Sequence, residues 1–181
     1  MKTKINFLLF AGIILASLAM NSCKKGENDP FISLKSRDAR ITAKWKLTKI
    51  EGTNVNGTPS VTQTIRFNGT TYSETYSTGN SNSATGSFEM TIDKKGTLNY
   101  SETFTPSSGT ADVESGTSEW YWIDSDKSKL FWFSNIYTNL FDGGGKVDRL
   151  AGKELVIINK YEDVNNGQIN STNLTYTFEK Q

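Results

Sequence analysis

Histidine is absent from the chain, and cysteine occurs once, at position 23. Those two shortages together exclude Ser-His-Asp and Cys-His nucleophile systems, histidine metal sites and disulfides. Any catalysis would fall to carboxylates, Lys or Tyr. There is no basic surplus either. The net charge is +1, and from residue 23 onward 18 basic residues face 19 acidic ones. Nothing is left over to neutralise phosphates, so nucleic acid is not an expected partner. Long hydrophobic runs are missing apart from one, residues 5–20, and that run falls short of the roughly 20 residues a bilayer span needs. Proline is scarce, with three among 181 residues.

Aromatic, β-branched and small polar residues take their place. Aromatics reach 12%, including Trp45, Trp120, Trp122 and Trp132, and Ser, Thr, Asn and Gly are plentiful. Strands need this mixture, because rings and branched side chains fill the pleat while small polar residues make the turns.

The N-terminus reads as an address. Lys2 and Lys4 precede the apolar run INFLLFAGIILASLAM, and Asn21 and Ser22 lead into Cys23. A positive start, a short apolar core and small residues before a cut describe a secretory signal peptide over 1–22. Leu18, Ala19, Met20, Asn21, Ser22 and Cys23 resemble the end of a bacterial lipoprotein signal, which is cut just before a cysteine that becomes lipidated. That resemblance implies a membrane anchor at Cys23 and an outer-membrane lipoprotein, on the periplasmic or cell-surface face. It also accounts for an unpaired thiol in an oxidising compartment. Residues 23–38 then read as a polar tether, in which Phe31, Ile32 and Leu34 could form one apolar helical turn.

From residue 39 to 181 the pattern is of strands. Trp45 and Leu47 alternate with lysines and Thr48, and Val61, Ile65 and Phe67 share one parity. Phe88, Met90 and Ile92 alternate with polar residues, turn at Lys94-Lys95-Gly96, and continue through Leu98, Tyr100 and Phe104. EWYWI (119–123), LFWF (130–133) and Leu155 to Ile158 are apolar on both faces. Leu174, Tyr176 and Phe178 close the series. This predicts about nine short strands, with NLFDGGGKVDRLAG as a loop between two of them. Sequential antiparallel strands form a meander, and closing it removes exposed edges. The expected fold is therefore all-β, an up-and-down antiparallel β-barrel, with a two-sheet β-sandwich as the alternative.

At residues 40–51, RITAKWKLTKIE, a tryptophan opens the first strand two residues after Ala43. The order of lipoprotein signal, short tether, WKLT and strands resembles the lipocalin-like lipoproteins of Bacteroidetes, whose barrel begins Gly-x-Trp. DRLAGKELVI at 148–157 is similar to that family's late strand. The resemblance implies a lipocalin-like barrel, with Trp45 as the plug of its floor. Lipocalins also stack an arginine from near the barrel's end on that tryptophan. No arginine follows Arg149, so that partner is missing or replaced by Lys160.

Trp120, Trp122, Trp132, Phe88 and Tyr100 are the candidate ligand-lining residues, since adjacent aromatic strands can line a cavity at a barrel mouth. Exposed instead, such rings could stack on a glycan; as packing, they would simply fill the barrel. Asp124, Asp126 and Ser128 have calcium-loop spacing, but Lys129 and Asn135 occupy the positions where that loop needs Gly and Glu, which favours a plain hairpin turn. Gly143, Gly144 and Gly145 lack the Lys-Ser/Thr end of a phosphate cradle. Nothing in the spacing of Glu89, Asp93, Glu102, Glu119 and Asp124 selects a catalytic pair. The expectation is a non-catalytic protein without metal or cofactor, holding a small apolar or amphipathic ligand. A glycan- or protein-binding surface module is the alternative, and a carboxylate-dependent hydrolase comes third.

Overall fold

The computed structural model describes residues 28–30, 35–57, 59–123, 130–133, 138–141, 143–165 and 168–181, with 130–133 and 165 as backbone. The signal peptide, Cys23, the Phe31–Leu34 turn, the Asp124–Ser128 loop and the ring of Trp132 lie outside the described residues.

A short helix, α1 (Arg37–Ile41), leads into ten antiparallel strands: β1 (Lys44–Asn56), β2 (Val61–Phe67), β3 (Thr71–Tyr76), β4 (Ser81–Ile92), β5 (Thr97–Pro106), β6 (Asp112–Trp122), β7 (Leu130–Phe133), β8 (Gly144–Leu150), β9 (Glu154–Asn165) and β10 (Gln168–Lys180). Each strand pairs with its sequence neighbours, and β10 pairs with β1 to close the barrel. The fold is an all-β, lipocalin-like up-and-down barrel.

β1 changes partner along its length. Ile50–Asn56 pair with β2, whereas Lys44–Lys46 pair directly with Thr91–Glu89 of β4. The β2–β3 hairpin is thus inserted at one end only. Eight strands close the end where β1 begins, the floor; toward the opposite end, the mouth, β2 and β3 join the wall, while β7 and β8 pair only with Trp120–Trp122 of β6 and Leu155–Ile158 of β9, in the floor half.

The floor half is packed solid. Trp45, Leu47, Phe88, Leu98, Val147, Leu150, Leu155, Ile157 and Phe178 are all fully buried. The Trp45 ring lies within this core, and its Nε1 donates to the Ile41 carbonyl at 2.7 Å, which ties β1 to α1. Ser36 caps α1 by accepting from the Ala39 N–H. The β4–β5 hairpin turns at Lys94-Lys95-Gly96, where Asp93 Oδ1 accepts from the N–H groups of Lys95 and Thr97 at 2.7 and 2.9 Å.

Two sequence expectations need correction. The stretch after Asp142, expected to be loop, contains β8. Its glycines hid it, yet a Cβ on Gly145 would stand 2.5 Å from the Ile158 carbonyl oxygen, so glycine is what lets β8 approach β9. β4 and β6 also run further than the apolar alternation shows, since the polar residues 81–87 and most of the polar stretch 107–118 form their mouth halves. Lys160 does not stand in for the lipocalin arginine. It pairs with Asn173 on β10, whereas Trp45 pairs with Lys180, seven residues further on and roughly 23 Å along the strand.

The tether is also shorter than expected. Asp29, with a fully buried side chain, bonds Arg37 Nε at 3.0 Å, Arg40 at 2.9 Å and the Leu150 N–H at 2.7 Å. The same two guanidinium groups donate to the Val147 and Leu150 carbonyls. Asn28 adds side-chain bonds to Asp148 at 2.9 and 3.0 Å. The chain is therefore fastened across β8 from residue 28, ahead of the barrel.

Candidate functional site

The mouth half of the lumen has a different lining from the floor. Strand alternation turns Asn54, Gln63, Glu74, Tyr76 and Glu102 inward on the same faces that carry apolar residues lower down. These groups are joined in a chain. Asn54 Nδ2 donates to Gln63 Oε1 at 3.2 Å, and Gln63 Nε2 donates to the Tyr76 hydroxyl at 3.2 Å. The Tyr76 hydroxyl donates to Glu74 Oε2 at 2.8 Å, and the Tyr72 hydroxyl donates to Glu74 Oε1 at 2.6 Å. Asn82 Nδ2 reaches Glu74 Oε2 at 3.4 Å.

Glu74 is held anionic by this arrangement. Burial alone would raise its pKa, but the hydrogen bonds from Tyr72, Tyr76, Asn82 and Gln63 outweigh burial and hold it below the ordinary value of 4.5. Burial, followed by the bond to Glu74, pushes the Tyr72 hydroxyl far upward, so it stays a donor.

The segment 138–141 turns into the lumen from the β7–β8 connection and sets the depth of the mouth. Glu102, 2% exposed, anchors it by accepting from the Asn139 N–H at 2.7 Å, Asn139 Nδ2 at 3.0 Å and the Leu140 N–H at 2.8 Å. Phe141 then enters the aromatic core, with its ring centre 4.9 Å from Tyr176, 5.2 Å from Phe178 and 5.5 Å from Phe88. Edge and tilted contacts of this kind add to the burial they bring. Below Phe141 the lumen is core; beside it, among the described residues, lie two cavities. One, of about 180 Å³, lies among Asn54, Gln63, Glu74, Leu140 and Tyr176. The other, of about 290 Å³, lies among Asn82, Ala84, Phe104 and Pro106. Tyr72, Glu74 and Asn139 line both.

The residues singled out in the sequence divide between two places. Phe88 is fully buried and stacks with partly buried Tyr100 in the lumen core, at 6.5 Å and 16°. Trp120 and Trp122 meet edge to face at 6.1 Å near the floor, with neither Phe88 nor Tyr100 among the groove's lining. They line an open groove of about 780 Å³ between α1, the Lys94–Gly96 turn and the end of β6. Both indoles are fixed there. Trp120 Nε1 donates to the Asp93 carbonyl at 2.9 Å, and Trp122 Nε1 donates to Asp38 Oδ1 at 2.7 Å. The Arg37 guanidinium lies 5.7 Å from the Trp122 ring centre, within cation–π range.

The candidate carboxylates do not converge. Glu89 pairs with Lys44 on the outside, Asp93 caps a turn, Glu119 points outward, and Asp124 is outside the described residues. Of the four candidates among the described residues, only Glu102 faces the lumen. Among the described residues no group of three or more acidic or sulfur side chains could hold a metal, and no helix is long and apolar enough to cross a membrane. Sequence reasoning missed Glu74, Tyr72 and Phe141. A faint signal for the first was Tyr72-x-Glu74-x-Tyr76, which puts three groups on one strand face. Phe141 carried none.

No family model, curated protein or solved structure matches the chain.

Proposed function

We propose that the chain is a lipid-anchored, non-catalytic, lipocalin-like binding protein of the outer membrane that takes a small amphipathic molecule into its mouth. The observation that carries this reading is the pair of cavities meeting at Glu74, with polar groups toward solvent and apolar Leu140, Phe141 and Tyr176 beneath. Their size fits a ligand at or below the small end of typical pockets. The anchor supports the same geometry. Cys23 stands six positions ahead of the fastening at Asp29, so a lipid on Cys23 lies within about 20 Å of the floor. The floor then faces the membrane and the mouth faces away, open to solute.

The groove at Trp120 and Trp122 favours the second reading, a glycan- or protein-binding surface. Tyr121 and Ile123 beside it are 47% and 52% exposed.

Native mass spectrometry of the full-length protein, extracted from the membranes of the cells that make it, tests both. A bound small molecule retained by Trp122→Ala and lost in Asn82→Trp, which fills the mouth without touching the core, is the expected result. Loss in Trp122→Ala with retention in Asn82→Trp would move the site to the floor. In detergent phase separation, Cys23→Ser should shift the protein to the aqueous phase, and an unchanged partition would overturn the anchor.

A further inference from the structure

The inner wall of the mouth carries negative charge without lumen-facing compensation. Glu74 and Glu102 face the lumen. Glu114 and Asp112 stand directly opposite Glu102 and Phe104 on β6 and so share their face. The basic residues of the strands do not answer them. Lys46 lies between inward Trp45 and Leu47, Arg66 lies between Ile65 and Phe67, and Lys146 is next to Val147. Lys160 has the outward parity of β9 and is exposed. Among the described residues, no Lys or Arg points into the mouth.

The second observation is an unmet acceptor. Asn54 Oδ1 is buried in the wall of the smaller cavity, and no donor among the described residues reaches it. The groups around it are turned to other partners. Both tyrosine hydroxyls and Asn82 Nδ2 go to Glu74, Asn54 Nδ2 goes to Gln63, and Gln63 Nε2 goes to Tyr76. A buried acceptor left without a donor is unfavourable, so a ligand N–H is favoured at this point of the wall. The third observation is aromatic. Tyr72 and Phe104, edge to face at 5.6 Å, both line the larger cavity beside Glu74.

We infer that the mouth selects a small organic cation, a primary ammonium on a short apolar tail. This rests on the mouth being the ligand site and adds the ligand's chemical class. The ammonium head donates to Glu74 and to Asn54 Oδ1, ring faces favour its charge, and the tail lies toward Leu140 and Phe141. A carboxylate or phosphate head would meet acceptors and like charge.

The test is an NMR titration of the full chain in detergent, following the side-chain amides of Asn54, Gln63 and Asn82. Four probes of matched size are used: butylammonium, butan-1-ol, butanoate and tetramethylammonium. Butylammonium should shift these amides and bind about tenfold or more tightly than butan-1-ol. Butanoate should leave them unmoved, and tetramethylammonium, which has no N–H, should bind more weakly than butylammonium. Glu74→Gln should abolish the preference for butylammonium. In the unmodified chain that preference should shrink as ionic strength rises. Equal binding of butan-1-ol and butylammonium would overturn the cation inference and leave the mouth reading standing. Silence at these amides with all four probes, together with no adduct in native mass spectrometry, would overturn both. Persistence of the preference in Glu74→Gln, or its indifference to salt, would overturn the part given to Glu74.

Discussion

Replacing Asp29 with Ala should destabilise the barrel far more than a change outside the strands ordinarily does. The side chains of Asp29, Arg37 and Arg40 are 0%, 1% and 4% exposed, so one buried anion stands between two buried cations. Removing it deletes two ion pairs and the bond from the Leu150 N–H, and takes away the carboxylate that stands between two buried guanidinium groups. Breaking a buried pair from one side costs about 3–5 kcal/mol, chiefly as the desolvation of the abandoned charge. The segment cannot simply lift away, because Ile41 is fully buried behind it and its carbonyl accepts from Trp45. In urea unfolding followed by tryptophan fluorescence, the midpoint should fall with an unchanged slope, which marks a loss of stability rather than of compactness. Adding Arg40→Met to Asp29→Ala should recover part of the loss, since it removes one unpaired charge. A loss below about 1 kcal/mol for Asp29→Ala, the range of exposed pairs, would refute the reasoning. So would strict additivity of the two changes, because residues in one network must couple.

Three further outcomes follow from the same geometry. Phe141→Ala should cost about 3–5 kcal/mol in the same unfolding assay, as a large ring leaves a packed core, and should enlarge the lumen below the mouth. Gly145→Ala should be destabilising despite its small size, because the new Cβ meets the Ile158 carbonyl oxygen at 2.5 Å and φ is +155°; a neutral midpoint would argue that β8 can shift off β9. The third outcome concerns pH. Glu74 has a folded pKa below its ordinary 4.5, so its contribution is present at neutral pH and is lost as pH falls from about 4.5 through the folded value. The groups facing it are Tyr72 and Tyr76 on its own strand, Gln63 on β2, Asn82 on β4 and Tyr176 on β10 near Tyr72, none of which titrates in that window. The acid limb of a stability profile should therefore become shallower in Glu74→Gln, and an unchanged limb would count against the assignment.

How much of this could be read from sequence depended on the height in the barrel. At the floor, Phe88, Met90 and Ile92, or Leu174, Tyr176 and Phe178, face a dry core and alternate with solvated residues, so the period of two is plain. At the mouth, Gln63, Glu74, Glu102 and Glu114 point inward and are as polar as their outward neighbours. The contrast vanishes there, although the strands continue. β8 was hidden for another reason: Gly143, Gly144 and Gly145 look like a loop, yet close approach to β9 requires a residue without Cβ. Phe141 enters the core from an aperiodic connection, where no pattern marks it. The Asp29 fastening joins residues 121 positions apart, at Leu150, which local patterns do not show.

The central claim is that the mouth, and not the aromatic groove at the floor, holds the ligand. Intermolecular NOEs from butylammonium to the full chain test it most directly. The account predicts contacts from the butyl protons to Leu140 and the ring of Phe141, beside Glu74 and Asn54. Contacts to Trp120 and Trp122 instead would contradict it.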